Sequence, residues 1–194
     1  MDSPTGRTHP PPRIVIVSAL LMAMLVPAIA SGAADRDPAD RDRAVAHLRT
    51  VDSRLDALIA DGARRSPMFR TLVERLARST VVVYVRSGML PRELIGRLTF
   101  IGGAPPWRYL RIEIECRQSV SNQIAALGHE LQHAVEIADR EAAVDPPSIR
   151  ALYGTIGFAV DDTRRRFESD AAKAAGDRVR RELSIRMPTL PSLE

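Results

Sequence analysis

Cysteine is all but missing from this chain: Cys116 stands alone among 194 residues, so no disulfide can close within it. Its place at the end of an alternating run suits a small buried residue at a strand end, with a metal ligand or reactive thiol as the alternative. Lysine is equally rare. Lys173 is the one lysine among 28 basic residues, a bias that a GC-rich genome produces as readily as any function does. The net charge is only +4, and acidic and basic residues interleave, which excludes the basic footprint of a nucleic-acid binder. Long apolar runs are missing too. The one candidate, Ile14 to Val26, has thirteen residues, against about 20 for a helix that spans a bilayer.

That run has the flanks of a signal peptide. Arg7 and Arg13 precede it, and Ala28-Ile29-Ala30 supplies the small residues that a signal peptidase requires. An uncleaved anchor is the alternative. No Cys follows the run to carry a lipid, and no twin Arg precedes it. Residues 1–30 are therefore expected to be removed and the protein exported, to a bacterial periplasm or beyond, with no membrane span left. Removal leaves 164 residues carrying +3, enough for one domain with its own core. Within them, 31–41 read as a small, polar, disordered leader, 42–187 as a single domain, and 188–194 as a disordered tail.

What the chain does have is His129-Glu130-Leu131-Gln132-His133. In this H-E-x-x-H arrangement, positions i and i+4 of a helix lie one turn apart on one face, so both imidazoles can reach one metal ion. Glu130 projects beside them, where a carboxylate can take a proton from an activated water. Ile124, Leu127, Leu131, Ala134, Val135 and Ala138 give the helix an apolar backing, and no Pro interrupts 121–141. An accidental match on a solvated helix would carry charges where this one has Leu127, Gly128, Leu131, Gln132 and Ala134.

The surrounding pattern predicts an α+β domain. A helix is expected from about Arg41 to Gly62 and a second after Ser66-Pro67, an N-cap followed by a proline at the first helical position. Three strands follow, at Thr80 to Val85, Leu94 to Ile101 and Tyr109 to Glu115, in a small, mainly antiparallel sheet. Gly102 to Pro106 reads as a loop, and the alternation of Tyr109 to Glu115 as a strand with one solvated side, an edge. The motif helix spans about Ser121 to Asp139. Beyond the break at Pro146-Pro147 come a short helix from Ser148 to Ile156, a charged loop at 161–166 and a last helix from Phe167 to Ile185.

Catalytic zinc takes three protein ligands and a water. His9 leaves with the signal peptide and His47 lies on an outer helix, so the third ligand should be a carboxylate after His133. Glu136, Asp139, Glu141 and Glu168 compete. Glu136 lies a turn too far from His129 and suits a supporting role. Asp139 would need a turn where Glu136 stands, and Glu141 follows the helix end. Glu168 is preferred, because Ser169-Asp170-Ala171-Ala172 after it allows close helix packing.

With His129, Glu130 and His133 on one helix and Glu168 on a later one, the stretch from Tyr109 to Leu183 resembles the gluzincin branch of the zincin metallopeptidases. The resemblance implies a zincin-like fold, zinc held by His129, His133 and Glu168, and an Asp such as Asp170 supporting a zinc histidine. It also implies an edge strand that pairs with extended substrate, a part for which Tyr109 to Glu115 is placed. The expected reaction is hydrolysis of a peptide or protein substrate by zinc-activated water, with Glu130 as general base and Tyr153 as candidate oxyanion donor. Two rivals differ in kind. One is a non-catalytic zinc protein closed by a fourth ligand such as Cys116 or Asp139, and the other is a helical envelope-interaction protein that binds no metal.

Overall fold

A computed structural model describes residues 47–161 and 166–185. The expected signal peptide, leader and tail lie outside the described residues. The domain is α+β. In chain order it runs β1 (Leu48–Thr50), α1 (Ser53–Arg65), α2 (Pro67–Ala77), β2 (Val81–Gly88), β3 (Gly96–Ala104), β4 (Trp107–Glu115) and α3 (Val120–Ala138). It ends with α4 (Pro146–Ile156), β5 (Phe158–Ala159), β6 (Phe167–Glu168) and α5 (Asp170–Ser184). Among the described residues no helix is long and apolar enough to cross a membrane.

The expected first helix is interrupted. Leu48–Thr50 instead pairs in parallel with Val83–Val85, and the helix begins only at Ser53, where the Asp52 side chain accepts the Arg54 N–H. Leu48, Val51 and Leu55 imitate helical spacing, yet Val51 is wholly exposed and Leu48 packs on the sheet. Gly62 does not end α1, which continues to Arg65. A Cβ at Gly62 would lie 2.9 Å from Ile124 Cγ2, so this glycine lets α1 approach α3. Ser66 and Pro67 open α2 as read, and Pro146 and Pro147 form the first turn of α4 rather than a break before it.

The main sheet is mixed and four-stranded, in the order β1-β2-β4-β3. Strand β4 is therefore internal, parallel to β2 and antiparallel to β3, and among the described residues the edges of the sheet are β1 and β3. β3 also runs on through Gly102 and Gly103, so the expected loop shrinks to the turn at Pro105-Pro106. The charged side of β4 looked solvated, but its charges are paired. Glu113 stands in register between Arg86 and Arg97 and is bonded by both guanidiniums. Its other side, Leu110, Ile112 and Ile114, is fully buried beneath the helices.

Helix α3 is the centre of the domain. It packs against β2, β3 and β4 on one side and α5 on another, and both α1 and α2 touch it. Ile124, Leu127, Leu131, Ala134 and Ile137 meet no solvent. The α3–α5 approach is close because both helices carry glycine at the contact. A Cβ on Gly128 would meet Val179 Cγ2 at 2.8 Å, and one on Gly176 would meet His129 Cβ at 3.1 Å. The motif helix is thus held from both sides.

Burial tends to raise the Glu113 carboxyl pKa, but hydrogen bonds and charge from Arg97 and Arg86 hold it below its ordinary value near 4.5. A lowered folded-state pKa gives stability that is present above the unfolded value and lost as pH falls through the folded one. Because both arginines are half exposed, the effect is moderate. Glu113→Gln is expected to cost roughly 1–2 kcal/mol near neutral pH. In urea titrations the deficit should shrink once pH drops below about 4.

Candidate metal centre

The Ser119 side chain caps α3 by accepting the Asn122 N–H, and the helix then carries His129 and His133 on one face. Their rings lie 5.0 Å apart at 80°. Glu168 reaches them from elsewhere: it sits on β6, not at the start of the last helix as expected. Its Oε2 is 3.4 Å from His129 Nε2 and its Oε1 is 3.3 Å from His133 Nε2. Metal–ligand bonds of about 2.0–2.2 Å at tetrahedral angles set neighbouring donors about 3.3–3.6 Å apart. The three residues could hold a metal ion, with their donor atoms all within 4.8 Å of one another.

The electrostatics agree with the spacing. Burial pushes the Glu168 carboxyl pKa up, but His129 and His133 overcome it and hold Glu168 well below the usual carboxylate range. Burial alone would lower the His133 pKa, yet hydrogen bonds to Glu136 and Glu168 raise it to about 10. The carboxylates thus demand positive charge at this point. A metal ion satisfies the demand as a proton does, so the two compete for the site. His129 and Glu168 retain 23% and 19% of their side-chain exposure against 8% for His133, so the cluster opens to solvent on the His129–Glu168 side.

Glu130 is buried beside the cluster, and burial raises its carboxyl pKa against the opposing pull of His129 and His133. It accepts the Leu98 N–H of the edge strand. Space for it comes from Gly96, where a Cβ would lie 2.7 Å from Glu130 Oε1. Behind the cluster, His133 Nδ1 is 3.0 Å from Glu136 Oε2 and 2.9 Å from the Tyr153 hydroxyl, which donates to Glu136 Oε2 at 3.0 Å. Burial and the neighbouring carboxylates keep the Tyr153 phenol protonated, its pKa raised far above the ordinary value.

Compared with protein-family models, curated proteins and solved structures, the chain matches none. His129, His133 and Glu168 come together, with Glu130 alongside. Tyr153 does not face the opening expected of an oxyanion donor. Its hydroxyl lies on the Nδ1 side of His133, where it holds the ring. Asp139 pairs with Arg75 at the end of α3, and Asp170 with Lys173, so neither touches the histidines. Glu136, not Asp170, is the carboxylate behind a histidine. His47 is buried under Trp107 and bonded to Val81 O, and Cys116 follows β4 outside the cluster.

Gly96 and Gly157 escaped the sequence reading, and Ser169 entered it only as a small packing residue. A glycine after a helix is a C-cap signal, and Gly157 carried that signal. Its role is larger. A Cβ there would lie 2.2 Å from the Glu168 carbonyl oxygen, and the short ribbon pairs Phe158 with Glu168. Gly157 therefore sets how near the strand of Glu168 can come. Gly157→Ala is expected to weaken metal binding at least about tenfold. Gly154→Ala, where a Cβ meets nothing within 4 Å, should leave it unchanged, as chelator-competition titrations of both variants will test.

Proposed function

We propose that the protein is an exported, zinc-dependent peptide hydrolase of gluzincin type, with His129, His133 and Glu168 as ligands and Glu130 as general base. The supporting observation is a single arrangement: two imidazole nitrogens lie 3.3 and 3.4 Å from one carboxylate, open to solvent, with a second, buried carboxylate alongside. Zinc bound to such a donor set supplies Lewis-acid activation of a water at neutral pH. Glu130 accepts the proton of the attacking water and hands it to the leaving amine. Gly96 keeps the Glu130 carboxylate seated, and the Leu98 N–H keeps it oriented.

The edge strand supports a peptide substrate. Just before β3 the Ile95 carbonyl accepts the Glu115 N–H of β4, whereas the Leu98 N–H of β3 points away from β4 towards Glu130. An extended peptide laid along this free edge would pass the general base. The strand expected for this part was Tyr109 to Glu115; its internal position moves the part to β3. A closed, structural zinc centre would recruit a fourth protein ligand, and neither Cys116 nor Asp139 joins the cluster.

Glu130→Gln separates binding from turnover. The variant should retain about one zinc per chain and lose about 10²–10⁴-fold in the zinc-dependent cleavage of an unfolded protein substrate such as casein. His133→Ala and Glu168→Ala should lose the zinc as well. Full cleavage by Glu130→Gln would end the mechanism, and a wild type that takes up no zinc would end the reading.

A further inference from the structure

Ser169 stands between the two elements that carry the cluster. It is 1% exposed, and its N–H and hydroxyl together make three hydrogen bonds. Its N–H donates to Glu168 Oε1 at 2.8 Å, and its hydroxyl donates to Glu136 Oε1 at 2.6 Å. Its Oγ also accepts the Ala172 N–H at 3.0 Å, capping α5. Glu136 reaches His133 Nδ1 through its other oxygen, and His133 Nε2 faces Glu168. The four residues close a ring, His133–Glu136–Ser169–Glu168, in which Ser169 and His133 each touch both carboxylates.

We propose that Ser169 is a positioning residue of the metal centre, setting Glu168 through its N–H and His133 through Glu136. This rests on the cluster being a metal site. The Ser169 hydroxyl holds one oxygen of Glu136, which fixes the carboxylate plane and aims the other oxygen at His133 Nδ1. That contact keeps the ring proton on Nδ1 and leaves the Nε2 lone pair for the metal. Without the hydroxyl, a buried carboxylate oxygen has no donor and the aim is lost. The helix cap is a separate matter, since a glycine N-cap serves nearly as well as serine.

Ser169→Gly therefore distinguishes the two roles. Positioning predicts a loss of zinc affinity of about tenfold or more in competition with a chromophoric chelator. It also predicts altered visible bands in the Co²⁺-loaded protein, which loss of a helix cap alone would leave unchanged. In a Glu136→Gln background the same substitution should add little, because both act through one contact. Unchanged zinc affinity and cobalt bands, or full additivity with Glu136→Gln, would reduce Ser169 to a helix cap. If Ser169→Gly fails to fold, ring ¹⁵N shifts of the zinc-loaded wild type decide. His133 protonated at Nδ1 and metallated at Nε2 supports the proposal, and the opposite tautomer overturns it. A wild type that binds no zinc would overturn the metal reading itself; zinc binding that Ser169→Gly leaves intact would overturn only this inference.

Discussion

Helix α3 buries Glu130, His133 and Glu136 in the middle of the domain, and burying charge is tolerable only where each group is answered by another. Glu136 receives hydrogen bonds from Ser169 and Tyr153 and contacts His133; Glu130 lies between the histidines and the Leu98 N–H; Glu168 closes the cluster from β6. No one of these partners sits next to another in sequence except within the motif and the Glu168-Ser169 pair. The fold must therefore bring α3, α4, β3 and the β6–α5 junction to one place before any of the charges is compensated. The site and the architecture are two views of the same requirement.

Glycine makes that convergence possible at close range. Gly128 and Gly176 let α5 lie against the motif helix, Gly96 gives Glu130 its seat, and Gly157 admits the strand of Glu168. In each case the neighbour that a side chain would strike belongs to the site or to the helix packing behind it. Tyr153 stacks on Phe167 at 5.8 Å and 16°, so the ring that contacts His133 also packs on β6. Among the described residues, packed elements surround the cluster on its inner sides and the side of His129 and Glu168 is open.

The motif helix was legible because every local signal agreed: an apolar backing, no proline and two histidines at one-turn spacing. The sheet was harder. Alternation in Tyr109 to Glu115 looks the same whether the charged side meets water or meets Arg86 and Arg97, and only the strand order separates the two cases. Likewise Leu48, Val51 and Leu55 fit a helical stripe until β2 competes for Leu48. Glu168 could be preferred as a residue, but its mount is a two-residue ribbon too short to leave any periodicity. Ser169 reads as one of the small residues that let the last helix pack closely, and its tie to Glu136 exists only in three dimensions.

X-ray absorption at the zinc edge of the loaded protein tests the central claim most directly, because it counts the ligands and identifies their elements. The account predicts a four-coordinate ion with nitrogen and oxygen neighbours at about 2.0–2.2 Å and the outer-shell scattering of two imidazoles. A sulfur neighbour at about 2.3 Å, which only Cys116 or a methionine could provide, would contradict it, as would the signature of a single imidazole.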